Sequence, residues 1–166
     1  VVIRSLSSVL LHSVFVSFQI FKFFSCTDLN VSALKYNINQ NGFNKNLFDW
    51  ILADLFSSFT IRDNGLFDLI LFNPPYVLTE SHEVFKNATH ACFAGGEDGN
   101  QIITRFLHDL PRYLSKPNGM CFMVCIEPNN ISLLTRIIED CSLKSTVTIK
   151  RSIGNELLSV LLIKWS

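Results

Sequence analysis

Asn73-Pro74-Pro75-Tyr76 closes the run FDLILF, residues 67–72, with one amide, two prolines and a phenol. The nitrogen of an amide or of an adenine amino group is a poor nucleophile, because its lone pair is delocalised into the adjacent carbonyl or ring. A site that acts on such a nitrogen must therefore orient it. Two acceptors, the Asn73 side-chain oxygen and the Pro74 carbonyl, can hold both N–H hydrogens and turn the lone pair towards an electrophile. Pro75 stiffens the backbone and Tyr76 offers a flat face. The plainer alternative is an ordinary Asn-Pro turn. Asp28 and Asp54 also follow apolar runs. A carboxylate at the position of Asp28 can accept hydrogen bonds from both hydroxyls of a ribose. Asp54 can accept from an adenine amino group while Leu55 packs against the ring. Taken singly, an aspartate after a strand is more often a turn former or a helix cap.

The elements that must position these residues are read from apolar periodicity. Residues 20–26 form a strand candidate, and Asn30 can cap a helix that carries Ala33, Leu34 and Ile38 and stops at Gly42. LFDWILAD, residues 47–54, reads as a second strand, and residues 66–72 as a third, apolar enough to be interior and covered on both faces. Ile102, Ile103, Phe106, Leu107 and Leu110 share one helical face, with Pro111 expected to kink or shorten the helix. KPNG turns into the strand GMCFMVCIE, a helix follows from Ile131 to Cys141, and two final strands flank Ile153-Gly154-Asn155. This alternation predicts an α/β fold, a mostly parallel sheet with helices on both faces. In such sheets ligands bind beyond the carboxyl ends of the strands, where Asp28, Asp54 and Asn73 fall.

The motifs CTDLN, LADL, FDLILFNPPYV and FAGGEDGNQIITRF, in this order and spacing, resemble the HemK-type methyltransferases, which use S-adenosylmethionine to methylate a glutamine side chain in translation release factors. The resemblance runs from Cys26 to the C-terminus. GNELLSVLLIKWS and CIEPNN look more like the eukaryotic release-factor glutamine N5-methyltransferases than the bacterial ones. It implies a class I methyltransferase, Rossmann-like, with S-adenosyl-L-methionine as cofactor. Asp28 would bind the ribose, Asp54 and Leu55 the adenine, and Asn73, Pro74, Pro75 and Tyr76 the acceptor amide, with Asn73 also lining the cofactor. Ala94, Gly95 and Gly96 would shape the substrate side. Because adenine-N6 methyltransferases share the NPPY motif, that activity is the alternative enzyme reading, and an inactive remnant serving only in binding is the non-enzymatic one.

The family carries a glycine-rich loop after its first strand, whereas this sequence has no glycine before Gly42. Residues 1–166 are accordingly read as a single methyltransferase domain that lacks the first strand and that loop, is poorly matched over residues 1–25, and supplies six of seven strands. The resemblance further implies a heterodimer with a small zinc-binding activator subunit, expected on the edge strand 47–53 beside Phe48 and Trp50. Localisation is expected to be cytoplasmic, with the nucleus as the alternative.

Composition bounds the remaining classes. The 166 residues are 48% hydrophobic and 17% charged, which suits one domain with a sizeable core and argues against disorder. Fourteen basic and fourteen acidic residues cancel, so no overall field recruits nucleic acid, and Lys144, Lys150 and Arg151 make no patch; nucleic acid is the less favoured partner. His12, His82, His90 and His108 lack ligand spacing, and a strand would hold Cys121 and Cys125 about 13 Å apart, too far for a disulfide or a shared metal. The apolar N-terminal stretch invites comparison with a signal peptide or membrane anchor. His12, Gln19 and Lys22 interrupt it and CTDLN follows, which favours a helix and a buried strand over a membrane segment.

Overall fold

The computed structural model describes residues 24–26, 36, 39–40, 48–51, 53–80, 82, 93–154 and 156–166. The chain divides into two compact units, residues 1–58 and 59–166, taken here in turn.

In the first unit, β1 (Phe24–Cys26) and β2 (Phe48–Trp50) run parallel, with Phe24 opposite Phe48 and Cys26 opposite Trp50. Parallel neighbours need a crossover, and Tyr36, Asn39 and Gln40 within it are helical. Residues 20–23 and the Asn30 cap lie outside the described residues. The strand expected over 47–54 is shorter than the sequence suggests. It ends at Trp50, and the chain then enters a turn in which the Ser57 N–H donates to the Asp54 carbonyl at 3.0 Å. Asp54 therefore sits in a turn beyond the strand. Leu55 is left-handed at φ 48°, which an extended strand cannot accommodate.

The second unit is a four-stranded sheet in the order β3 (Leu69–Phe72), β4 (Met120–Ile126), β6 (Glu156–Trp165), β5 (Leu143–Ile153). The β3–β4 pair is parallel, while β4–β6 and β6–β5 are antiparallel. The last two strands form a hairpin around Gly154, so the sheet is mixed at its C-terminal side. The third expected strand is confined to Leu69–Phe72. Phe67 stands outside it in an isolated parallel bridge to Leu114, made by its own N–H on the Tyr113 carbonyl at 2.8 Å and the Ser115 N–H on its carbonyl at 2.9 Å. Among the described residues β3 is the end strand of this ladder, yet Ile70, Leu71 and Phe72 are buried.

Helix α1 (Gln101–Tyr113) buries the face expected for it, Ile102, Ile103, Phe106, Leu107 and Leu110. Pro111 does not end it. The proline stands in the last turn, where the next ladder bond survives: the Leu114 N–H reaches the Leu110 carbonyl at 3.0 Å. Helix α2 (Ile131–Asp140) begins where Asn130, itself left-handed, accepts from the Leu133 N–H at 3.2 Å. It buries Leu134 and Ile138, touches α1 and lies against β5. The ring of Phe72 stacks on Phe106 with centroids 3.8 Å apart, fixing the end of β3 against α1. At the chain's end the Trp165 indole donates to the Ser115 carbonyl at 3.0 Å, with the Lys116 ammonium over its ring. No helix among the described residues is long and apolar enough to cross a membrane, and the apolar N-terminal stretch lies outside them.

Cys121 and Cys125 are free, buried thiols on β4, and burial pushes Cys125 up to about 11 and Cys121 higher still. Cys141, at the end of α2, is only partly buried; that burial, followed by the Asp140 charge, raises it. Thiolate is the reactive species. Iodoacetamide at pH 8 is therefore expected to modify Cys141 about 100-fold faster than Cys121 or Cys125 in the native protein, with the difference erased by denaturant. Comparable native rates, read by peptide mass spectrometry, would contradict the buried placement.

Candidate amide-binding site

The site is built where β3 runs out. Phe72 is buried and pinned by Phe106, so the next residue, Asn73, leaves the sheet from a fixed point and is itself only partly buried. Pro74 is buried, while Pro75 and Tyr76 are partly buried. Two prolines in succession lock φ and remove two N–H donors, so this backbone cannot extend the ladder and its carbonyls are left for other partners. The Tyr76 phenol is held above its ordinary range, first by burial and then by the negative charge of Glu156. It therefore stays protonated at neutral pH and available as a hydrogen-bond donor.

The structure brings the glycine-rich stretch to this same place. Val77 and Ala94 form a parallel bridge, the Val77 N–H donating to Phe93 at 2.9 Å and the Gly95 N–H to Val77 at 2.7 Å. Thr79 closes the contact from both sides, its N–H on the Gly96 carbonyl at 2.9 Å and its hydroxyl accepting from the Gly96 N–H at 3.2 Å. Gly95, Gly96 and Gly99 are all buried in this loop. Gly99 lies so close to the motif that a Cβ there would stand 2.4 Å from the Tyr76 carbonyl oxygen. The Asp98 carboxylate caps the turn by accepting from the Asn100 N–H at 2.9 Å. The Asn100 Oδ1 is a buried acceptor with no hydrogen-bond partner.

Sequence reasoning missed Asn129. This residue is fully buried in the one-turn 3-10 helix Glu127–Asn129 that follows β4. Its Oδ1 accepts from the Ile126 N–H at 2.8 Å, and its Nδ2 donates to the carbonyls of Tyr76, at 3.1 Å, and Gly99, at 3.3 Å. One side chain thus joins the end of β4, the motif and the glycine-rich loop. CIEPNN carried the only signal, an amide at a strand end, and that alone does not identify its partners.

The residues expected to contact a cofactor are less fully placed. Asp28 lies outside the described residues. Asp54 and Leu55 belong to the first unit, where Asp54 is exposed and Leu55 is buried in its left-handed conformation. A bulky residue held there costs about 1–3 kcal/mol, and such strain clusters at ligand sites. Among the described residues no group of histidine, cysteine and acidic side chains could hold a metal ion.

No family model matches the chain. Its sequence is 34% identical over 138 residues to methyltransferase HEMK2 of Homo sapiens, covering 83% of this chain and 64% of that protein. It is 35% identical over 100 residues to the eRF1 methyltransferase catalytic subunit mtq2 of Schizosaccharomyces pombe, covering 59% of this chain and 42% of that one. The chain thus spans less than two thirds of the length of these relatives. Among solved structures, the E. cuniculi Mtq2–Trm112 complex, responsible for methylation of the eRF1 translation termination factor, superposes with a TM-score of 0.61 at 19% identity, over 95% of this chain and 93% of that one. The superposition shows the fold. In sequence the chain is similar to methyltransferases of the HemK type, and its fold is that of the solved Mtq2–Trm112 methyltransferase complex.

Proposed function

We propose that the protein methylates the side-chain amide of a protein glutamine, the substrate being the GGQ loop of a peptide chain release factor. The single observation that carries this reading is the backbone of residues 73–76, rigid, leaving a buried strand at a fixed point and hydrogen-bonded through Tyr76 to Asn129. Such a segment offers acceptors whose positions are set before substrate arrives, which is what an amide nitrogen with a delocalised lone pair requires. The unpartnered Asn100 Oδ1 supports it, as a further acceptor in the loop bonded to the motif. S-Adenosylmethionine supplies the electrophilic methyl group. Asp28, Asp54 and Leu55 are assigned to hold it, and Asn73 to Tyr76, with Gly95 and Gly96, to hold the amide. With that donor bound, the amide nitrogen held by Asn73 and Pro74 would be the methyl acceptor and would lose one of its two hydrogens as a proton. No strong base is needed, because an amide nitrogen that has gained a methyl group is acidic.

The mtq2 and Mtq2–Trm112 relatives support two further assignments, an eRF1-type substrate and a small partner subunit. We place that subunit, a zinc-binding activator, on β2, whose outer side carries no strand among the described residues. The test is transfer of labelled methyl groups by the full-length protein, purified with its activator. Label on release factor, lost when the GGQ glutamine is replaced by alanine, is the expected result. Label on adenine-containing DNA or RNA and none on release factor would overturn the reading in favour of adenine chemistry.

A further inference from the structure

Asn129 is fully buried, lies outside the NPPY motif, and makes three hydrogen bonds to backbone groups drawn from three segments. A buried amide that satisfied only local turn geometry would need none of the distant ones. The two distant partners are the carbonyl of Tyr76, the last residue of the motif, and that of Gly99, in the loop bonded to the motif through Val77 and Thr79. The near partner, the Ile126 N–H, is the last residue of β4, the strand paired in register with β3. Asn73 is thus held at both ends of its segment: at Phe72 by the ladder and the Phe106 stack, and at Tyr76 by the Asn129 Nδ2.

Resting on the reading of residues 73–76 as the amide-binding segment, we propose that Asn129 is a positioning residue for the reaction, its side-chain amide setting where the Pro74 carbonyl and Asn73 side chain stand. Asparagine fits this role because it combines one acceptor and two donors in one short planar group. Aspartate keeps the volume and the acceptor for Ile126 but offers no donor when ionised, and it sets a charge against two carbonyl dipoles. Serine can still accept locally but is too short to span the gap to Tyr76.

The experiment compares Asn129→Asp and Asn129→Ser with wild type in the full-length protein, using three readouts. Amide exchange over residues 76–80 should rise at least about tenfold in both variants, while exchange in α2 stays unchanged. Methyl transfer should show kcat lowered about 10- to 100-fold with cofactor affinity within about twofold, because a displacement of about 1 Å costs rate rather than binding. In Asn129→Asp, kcat should recover as pH falls from 8 to 6 relative to wild type, since a buried carboxyl beside carbonyls takes up a proton readily and then donates to Tyr76. Unchanged exchange over 76–80 would overturn the proposal, and so would raised exchange with unchanged kcat. Should Asn129→Asp fail to fold, Asn129→Ser carries the exchange and kcat tests alone. Wild-type protein that transfers no methyl to release factor would refute the glutamine reading, while the exchange readout still decides whether Asn129 tethers the segment.

Discussion

Asn73→Ala in the full-length protein is expected to lower methyl transfer to release factor by about 10³-fold while cofactor affinity changes less than about fivefold. Removing one pre-positioned polar partner of the reacting group costs about 10²–10³ in rate at comparable sites, and here the lost acceptor also sets the direction of the lone pair. The fold should tolerate the change, because Asn73 is only partly buried and the strand before it is held by Ile70, Leu71 and Phe72. Single-turnover assays separate transfer from binding, and unchanged thermal unfolding confirms that structure survives. Activity within tenfold of wild type would remove Asn73 from the chemistry.

The second large effect is expected at Gly99. Its φ of +69° is strained for any other residue, and an added Cβ would meet the Tyr76 carbonyl oxygen at 2.4 Å and the Asn129 Nδ2 at 2.6 Å. Backbone strain and forced displacement each cost about 1–3 kcal/mol, so Gly99→Ala should lose about 4 kcal/mol in urea unfolding and most of the transfer activity. Gly154 provides the control. It has a similar φ of +60°, but nothing lies within 4 Å of its added Cβ. Gly154→Ala should therefore cost only about 1 kcal/mol, the strain alone. Equal losses at the two glycines would mean that the close approach of Gly99 to the motif is not what requires glycine there.

Much of the second unit was legible because its signals are local. The apolar face of α1, the start of α2 at Ile131 and the hairpin around Gly154 each follow from periodicity or from a turn residue within a few positions. Pro111 misled because proline is costly in the interior of a helix and much less so in its closing turn. The early end of β2 was hidden for a related reason: six of the eight residues of LFDWILAD are apolar, and composition does not reveal that Leu55 turns left-handed. At the site, Asn73 to Tyr76 could be picked out because two prolines after a buried strand are unusual in themselves. Asn129 could not, since its meaning lies in carbonyls 53 and 30 residues away along the chain.

Strand β5 ends the sheet on the side away from β3, and eleven residues from Leu143 to Ile153 leave its outer edge open among the described residues. Val147, Ile149 and Ile153 are exposed on it, as a strand inviting another copy of itself would have them. Lys144, Lys150 and Arg151 are exposed along the same strand, and the register slips between Val147 and Ile149. Charge and irregularity of this kind defeat edge-to-edge stacking, because an incoming strand would have to desolvate cations and match a broken register. The three basic residues that formed no nucleic-acid patch thus stand where positive charge opposes the pairing of this margin with a second strand.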